Sequence, residues 1–171
     1  MNNANHTEPL HVLVVEDSEH DRVTIRRAFN RSCIAFTIEE CVRAEDALER
    51  VSPGNDSPDA IVIDHGLPGM TGLELCTTIL QEKIDIPLVL LTGSGSEQLA
   101  VEALKSGVAD YLIKDPGEGF LDLLPVVLQE VVKKHEDRLA RKKAEEALRE
   151  SEERLRMLIE SAEDVITMHD I

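Results

Sequence analysis

The chain has 171 residues, of which 18 are basic and 34 are acidic, so its formal net charge is −16. That charge disfavours nucleic acid and anionic membranes as surface ligands because both carry the same sign of charge, and a length over ~150 residues predicts about one domain plus an appendage. No apolar run approaches the ~20 residues of a membrane span and the first residues lack a signal-peptide pattern, so we expect a cytoplasmic protein.

The first 120 residues alternate short runs rich in Val, Ile and Leu with helical stretches, which predicts an α/β parallel sheet covered on both faces. The predicted strands are His11–Val15, Ala35–Glu39, Ala60–Ile63, Pro87–Leu91 and Tyr111–Ile113. The predicted helices are Glu19–Asn30, Ala44–Val51, Gly72–Gln81 and Glu97–Ser106, with Gly107 capping the last. Right-handed crossovers make this a doubly wound sheet whose ligand crevice lies at the carboxyl ends of the strands.

The last fifty residues predict one long helix, because all nine glycines and six of the seven prolines lie before residue 121. Small or apolar residues recur at spacings of three and four, which is typical of a coiled coil and predicts a parallel homodimer through this helix. The repeat comprises Leu121, Leu124, Leu128 and Val131, and then Ala144, Leu148, Ser151, Leu155, Leu158, Ala162 and Val165, with a phase slip across the charged segment 135–143.

The three cysteines are odd in number and show no C-x-x-C spacing, which argues against both a disulfide framework and a zinc site. We expect Cys33, Cys41 and Cys76 to be buried reduced thiols.

Polar side chains end four of the five predicted strands. They are Glu16 and Asp17 after the first, Asp64 after the third, Thr92 after the fourth and Lys114 after the fifth. Any one of them alone is an ordinary solvated residue, helix cap or surface lysine, but together they converge on one edge of the sheet. Three close carboxylates repel by roughly 4 kcal/mol per pair at an effective dielectric near 20, so they raise a pKa or bind a cation.

Carboxylate ligands favour a hard ion such as Mg²⁺, which commonly binds a few carboxylates together with a phosphate oxygen. A lysine opposite the metal would neutralise the other side of a phosphoryl group, and Thr92 could bond one of its oxygens. This chemistry suggests phosphoryl transfer to or from one of the acids, without choosing which acid or which direction.

Four segments in order resemble the receiver domain of two-component response regulators. They are HVLVVEDSEHD (11–21), DHGLPGMTG (64–72), LVLLTGSG (88–95) and ADYLIK (109–114). The resemblance covers about residues 10–125 and implies a flavodoxin-like sheet of strand order 2-1-3-4-5, an order that is inherited from the family.

The resemblance also implies roles for individual residues. Asp64 would accept a phosphoryl group from the phosphohistidine of a histidine kinase or phosphotransfer protein, and Lys114 would pair with the phosphoryl oxygens. Mg²⁺ would be held by Glu16, Asp17, Asp64 and the backbone carbonyl of Gly66. Thr92 would move toward the new oxygens and let Tyr111 turn inward, which would relay the signal as a change of surface.

The sequence departs from the family pattern at three places. Asp115 separates Lys114 from Pro116, where the family usually has proline directly after the lysine through a cis bond, so the isomer of the Asp115–Pro116 bond is open. Gly66 and Gly93 replace bulkier residues and would leave the site more open to water. His65 beside Asp64 has no second histidine at ligand spacing and reads as a solvated neighbour.

We expect three segments: a disordered stretch at 1–9, the receiver at 10–125, and a helical coiled-coil linker at 126–171. The stretch 144–171 is similar to the helical lead-in of PAS sensory domains and ends where the first PAS strand would begin, so we expect a piece of a longer signalling protein. His135-Glu136 only faintly resembles a histidine-kinase phosphorylation box, because the residues that should follow it and a glycine-rich ATP site are missing.

Two other functions remain open at this stage. A Mg²⁺-dependent phosphohydrolase with an aspartyl-phosphate intermediate uses the same metal and nucleophile, but usually has a second aspartate where this chain has Gly66. A phosphorylation-independent dimerisation scaffold would need a degenerate receiver, against which the intact set of polar residues argues. The receiver reading makes the chain a phosphoacceptor and not an enzyme acting on other substrates.

Overall fold

A computed structural model of the chain describes residues 8–52, 56–93 and 97–167, with side chains given through residue 159 except that of Glu97. The expected disordered stretch at 1–9 lies almost wholly outside these residues. The chain divides into two compact units, 1–133 and 134–171.

The first unit contains five parallel strands in the order β2-β1-β3-β4-β5, which confirms the predicted strand order. The strands are β1 (Leu10–Val15), β2 (Phe36–Cys41), β3 (Ala60–Asp64), β4 (Leu88–Gly93) and β5 (Asp110–Lys114). The helices are α1 (Glu19–Arg31), α2 (Ala44–Arg50), α3 (Gly72–Gln81), α4 (Glu97–Ser106) and α5 (Phe120–Thr167).

Several element bounds differ from the predicted ones because pairing, rather than hydropathy, decides where a strand ends. β2 runs two residues past the predicted Glu39, since it pairs with β1 along its full length from Leu10↔Phe36 to Val15↔Cys41. β4 continues through Thr92 to Gly93, paired with β5, so Thr92 lies inside the strand. Helix α2 ends one residue early, with Val51 as its C-cap.

Two apolar clusters cover the two faces of the sheet. Helices α1 and the first turns of α5 pack on one face, and α2, α3 and α4 pack on the other. Gly107 has φ +105°, as its predicted position at the C-cap of α4 requires.

Helix α5 belongs to the core of the first unit beyond the boundary expected at residue 125. Leu121, Leu124, Leu128, Val131 and Val132 are all buried and share one cluster with β1, β3 and β4. The first unit therefore extends to Lys133.

The second unit is the remainder of α5 and carries many exposed charges along with exposed leucines. Leu148, Leu155 and Leu158 are each about 60% exposed. The positions Ala162 and Val165 of the predicted repeat fall where side chains are not described. None of the described helices combines the length and the low charge needed to cross a membrane.

The cysteines are all free, but they differ in burial. Cys76 is buried and Cys41 half-buried, whereas Cys33 is exposed. The expectation of burial is therefore wrong for Cys33, which lies in the surface connection between α1 and β2.

Candidate functional site

The connection from β1 to α1 places two acids at the carboxyl edge of the sheet. β1 ends at Val15, and Ser18 caps α1 by accepting a hydrogen bond from the Asp21 backbone N–H at 3.3 Å. Glu16 is 1% exposed, and its Oε1 accepts from the Ser18 backbone N–H at 3.0 Å. Asp17 follows as an exposed residue. The two acids therefore flank the crevice at different depths.

Asp64 ends the central strand β3 and is 8% exposed. Its Oδ2 accepts from the Gly66 backbone N–H at 2.6 Å, which fixes the carboxylate above the strand end. Gly72 begins α3 directly beside this turn: a Cβ there would lie 2.2 Å from the Asp64 carbonyl oxygen. Only glycine allows the helix to start so close to the strand.

Lys114 ends β5 and brings its ammonium group into the acidic crevice. Its Nζ lies 2.5 Å from Asp64 Oδ1, 2.6 Å from Glu16 Oε2 and 2.9 Å from Asp21 Oδ2. The lysine side chain is only 20% exposed. A partly desolvated cation thus lies among three carboxylates.

Burial and charge shift the pKa values of these groups in a consistent way. Burial raises the pKa of the Glu16 carboxyl; the hydrogen bond from Lys114 opposes this and the Asp64 charge adds to it. Burial alone would lower the pKa of Lys114, but its hydrogen bonds to Asp21, Asp64 and Glu16 raise it above the ordinary value. The same lysine lowers the pKa of Asp21 against the effect of burial. The carboxylates around Lys114 therefore favour its charged form.

The carboxylates of Glu16, Asp17 and Asp64 each offer an oxygen within 4.8 Å of the others. All three donors are oxygen atoms at the open edge of the sheet, and this donor set fits a hard divalent cation. The sequence-predicted acids thus come together in space.

Thr92 and Tyr111 lie on the neighbouring strands β4 and β5. Thr92 is fully buried, and its Oγ1 has no hydrogen-bond partner among the described residues. Such an unpaired buried hydroxyl is uncommon, because leaving one costs about 1–3 kcal/mol. Tyr111 is half-buried and packs on the cluster that contains α3 and α4.

Sequence reasoning missed two residues of α1 that contact the site. Asp21 reaches Lys114, and the Arg22 Nη1 donates to the backbone carbonyls of Glu16 at 2.7 Å and Asp17 at 2.9 Å. In the sequence, an acid in a first helical turn is explained by its favourable interaction with the helix dipole and does not indicate a site. No local pattern in the sequence identifies the Asp21 contact, because its partner Lys114 is distant in sequence.

The family departures have clear structural outcomes. The Asp115–Pro116 bond is trans, as are all peptide bonds of the described residues. The Asp115 carboxylate instead accepts hydrogen bonds from the backbone N–H groups of Phe120 at 3.0 Å and Gly117 at 3.2 Å, and so stabilises the turn that leads into α5. A Cβ at Gly66 would lie 3.0 Å from Asp64 Oδ2, whereas one at Gly93 would have no atom of the described residues within 4 Å. The His65 ring Nδ1 is buried without a hydrogen-bond partner among the described residues.

Several known proteins resemble the chain. Methanogenesis regulatory protein FilR1 of Methanothrix harundinacea is 32% identical over 122 residues, which are 71% of this chain and 27% of that protein. Phosphate regulon transcriptional regulatory protein PhoB of Rhizobium meliloti is 33% identical over 105 residues, 60% of this chain and 44% of that protein. The chain therefore spans less than half the length of these relatives.

A solved structure shares the fold of this chain, and a protein-family model matches most of its sequence. The structure FixJ-N superposes with a TM-score of 0.62 at 28% identity and covers 75% of this chain and 96% of that one. The model of the response regulator receiver domain matches residues 12–122, the region that holds all but the first two residues of the five strands and every polar residue of the crevice. The chain belongs to the family of response regulator receiver domains of two-component systems.

Proposed function

We propose that the chain accepts a phosphoryl group on Asp64 from the phosphohistidine of a histidine kinase or phosphotransfer protein. An Asp64 carboxylate oxygen forms the new bond to phosphorus while the phosphorus–nitrogen bond of the phosphohistidine breaks, and the histidine leaves as imidazole. The observation that carries this proposal is the Lys114 ammonium 2.5 Å from Asp64 Oδ1 in a buried carboxylate cluster. A cation there offsets charge on an incoming phosphoryl group.

The acids at the crevice have a supporting role in this proposal. The carboxylates of Glu16, Asp17 and Asp64, together with the Gly66 backbone carbonyl, would hold Mg²⁺. When bound, the ion would offset the negative charge of the carboxylates and of the phosphoryl oxygens. The mutual spacing of the three carboxylates, within 4.8 Å, supports this ligand set.

The proposed relay begins at Thr92. Its buried hydroxyl has no hydrogen-bond partner among the described residues, so new phosphoryl oxygens at Asp64 would offer it an acceptor. Movement of Thr92 toward them frees space for the half-buried Tyr111 ring to turn inward. The resulting change of surface would reach an output through a dimeric helical linker, residues 126–171.

Intact mass after incubation with acetyl phosphate and Mg²⁺ tests the proposal. We expect one added phosphoryl group on the wild type, none on Asp64→Asn, and none when the metal is chelated. Asp46→Asn is the matched control, since it removes an exposed carboxylate of α2 and should load like the wild type.

Other outcomes of the same experiment identify the other functions. Continuous release of phosphate, many turnovers per chain, would indicate a phosphohydrolase. An unmodified chain that nevertheless binds Mg²⁺ would indicate a scaffold whose signal does not pass through Asp64.

A further inference from the structure

Asp21 is a fourth carboxylate of the site, contributed by the first turn of α1. Its Oδ2 lies 2.9 Å from Lys114 Nζ, and its side chain is 35% exposed. The Ser18 side chain caps the helix by accepting a hydrogen bond from the Asp21 backbone N–H, so the Asp21 carboxylate is not needed as a cap. The side chain therefore acts on Lys114 from the solvent side of the crevice.

Lys114 has no donor to spare in the unphosphorylated chain. An ammonium group has three N–H donors, and three carboxylates lie within hydrogen-bond distance of it. The side chains of Glu16 and Asp64 are 2% and 10% exposed, whereas that of Asp21 is 35% exposed and is the most accessible of the three. A phosphoryl group on Asp64 adds oxygens that need the same ammonium group.

We propose that Asp21 competes with the phosphoryl group of Asp64 for Lys114 and so limits how tightly the phosphorylated state is held. This inference rests on the proposed phosphoacceptor function. Asp21 is a positioning residue here, since it acts on the phosphoryl group through the lysine.

The same carboxylate should have the opposite effect on a divalent cation. Asp21 adds a negative charge to a crevice that already contains Glu16, Asp17 and Asp64, and so attracts Mg²⁺ while it draws Lys114 away from an anion. Removing its charge should weaken metal binding and strengthen phosphoryl binding. General damage to the site would instead weaken both.

The test compares full-length wild type, Asp21→Asn and Glu19→Gln. Glu19 is the matched control because it is an exposed acid in the same first turn of α1. The first readout is the affinity for beryllofluoride, a tetrahedral phosphoryl mimic, at saturating Mg²⁺ by fluorine NMR. The second is Mg²⁺ affinity without beryllofluoride by calorimetry, and urea unfolding verifies that all three chains are folded.

We expect Asp21→Asn to bind beryllofluoride about two- to fivefold more tightly and Mg²⁺ more weakly by a similar factor, the range of one partly exposed ion pair. Glu19→Gln should change both affinities less. The inference is overturned if the two variants behave alike or if Asp21→Asn weakens both ligands. If the wild type binds no beryllofluoride and gains no phosphoryl group, the proposed function itself fails.

Discussion

Single residues of this chain are constrained by backbone contacts as much as by chemistry. Gly72 and Gly93 illustrate this, because both flank the crevice but the described residues crowd only Gly72. A Cβ at Gly72 would lie 2.2 Å from the Asp64 carbonyl oxygen and 2.8 Å from the His65 Cα, both backbone atoms that cannot move aside alone. The start of α3 and the end of β3 are therefore held at a distance that glycine alone permits.

We predict that Gly72→Ala lowers the free energy of unfolding by about 1–3 kcal/mol, the usual cost of forcing an extra carbon into a packed site. Alanine is the better helix former by about 1 kcal/mol in a helix interior, so a loss would have to come from the overlap. Urea unfolding measures the change. Gly93→Ala is the control, since no atom of the described residues lies within 4 Å of a Cβ added there, and an equal loss in both variants would refute the explanation.

At the scale of elements, the turn from β5 to α5 depends on the Asp115 carboxylate. The backbone N–H groups of Phe120 and Gly119 lower the pKa of Asp115 below its ordinary value. A carboxyl whose pKa is lower in the folded chain stabilises the fold above the unfolded pKa of about 3.9, and this stabilisation is lost as the pH falls through the folded pKa.

We therefore predict that Asp115→Ala is less stable than the wild type at pH 7, and that the difference shrinks as the pH falls below about 4, where the unfolded carboxyl protonates. Urea midpoints measured from pH 7 to pH 3 give the comparison. Asp122→Ala, which removes an exposed carboxylate from the first turn of the same helix, is measured alongside as the comparison. A constant difference between wild type and Asp115→Ala would contradict the prediction.

Helix α5 also contributes core residues well past its first turns. Leu128 is fully buried against β1 and β3, whereas Leu123 of the same helix is 55% exposed. We predict that Leu128→Ala lowers the free energy of unfolding by about 2–5 kcal/mol and that Leu123→Ala costs far less. Thermal or urea unfolding separates the two. Similar losses would mean that the helix does not pack on the sheet as described.

Sequence reasoning predicted the elements well where hydropathy and chemistry agree, and less well where only packing decides. The buried runs of β1, β3 and β4 and the glycine after α4 carry strong local signals, so these elements and the strand-end acids were predictable. The strand order came from the family resemblance and not from these signals. Asp21 was not, because its partner Lys114 is distant in sequence and an acid in a first helical turn needs no partner. The sequence also did not predict that the core extends to Val132. Apolar residues repeat along a helix in the same way whether a sheet or a second helix covers them.

At the scale of the whole molecule, the remaining question is what covers the exposed stripe of the last segment. Leu148 and Leu155 are seven residues apart and 61% and 59% exposed. Full burial of a leucine stabilises by about 1.5–3 kcal/mol, so two such residues on each of two chains provide a strong drive for pairing. A parallel homodimer through residues 144–165 follows from this repeat as a proposal.

We predict that the wild type sediments as a dimer at micromolar concentration and that Leu148→Lys combined with Leu155→Lys makes it a monomer. Lysines at both positions would place like charges opposite each other between the two helices, and dimerisation would have to remove water from these charges. Met157→Lys is the matched control, because Met157 is 64% exposed but lies off the seven-residue stripe, so this variant should remain a dimer. A monomeric wild type would remove the dimeric linker from the proposed function and leave the phosphoryl chemistry of Asp64 unaffected. A dimer that survives both lysines would mean that the chains associate through another surface.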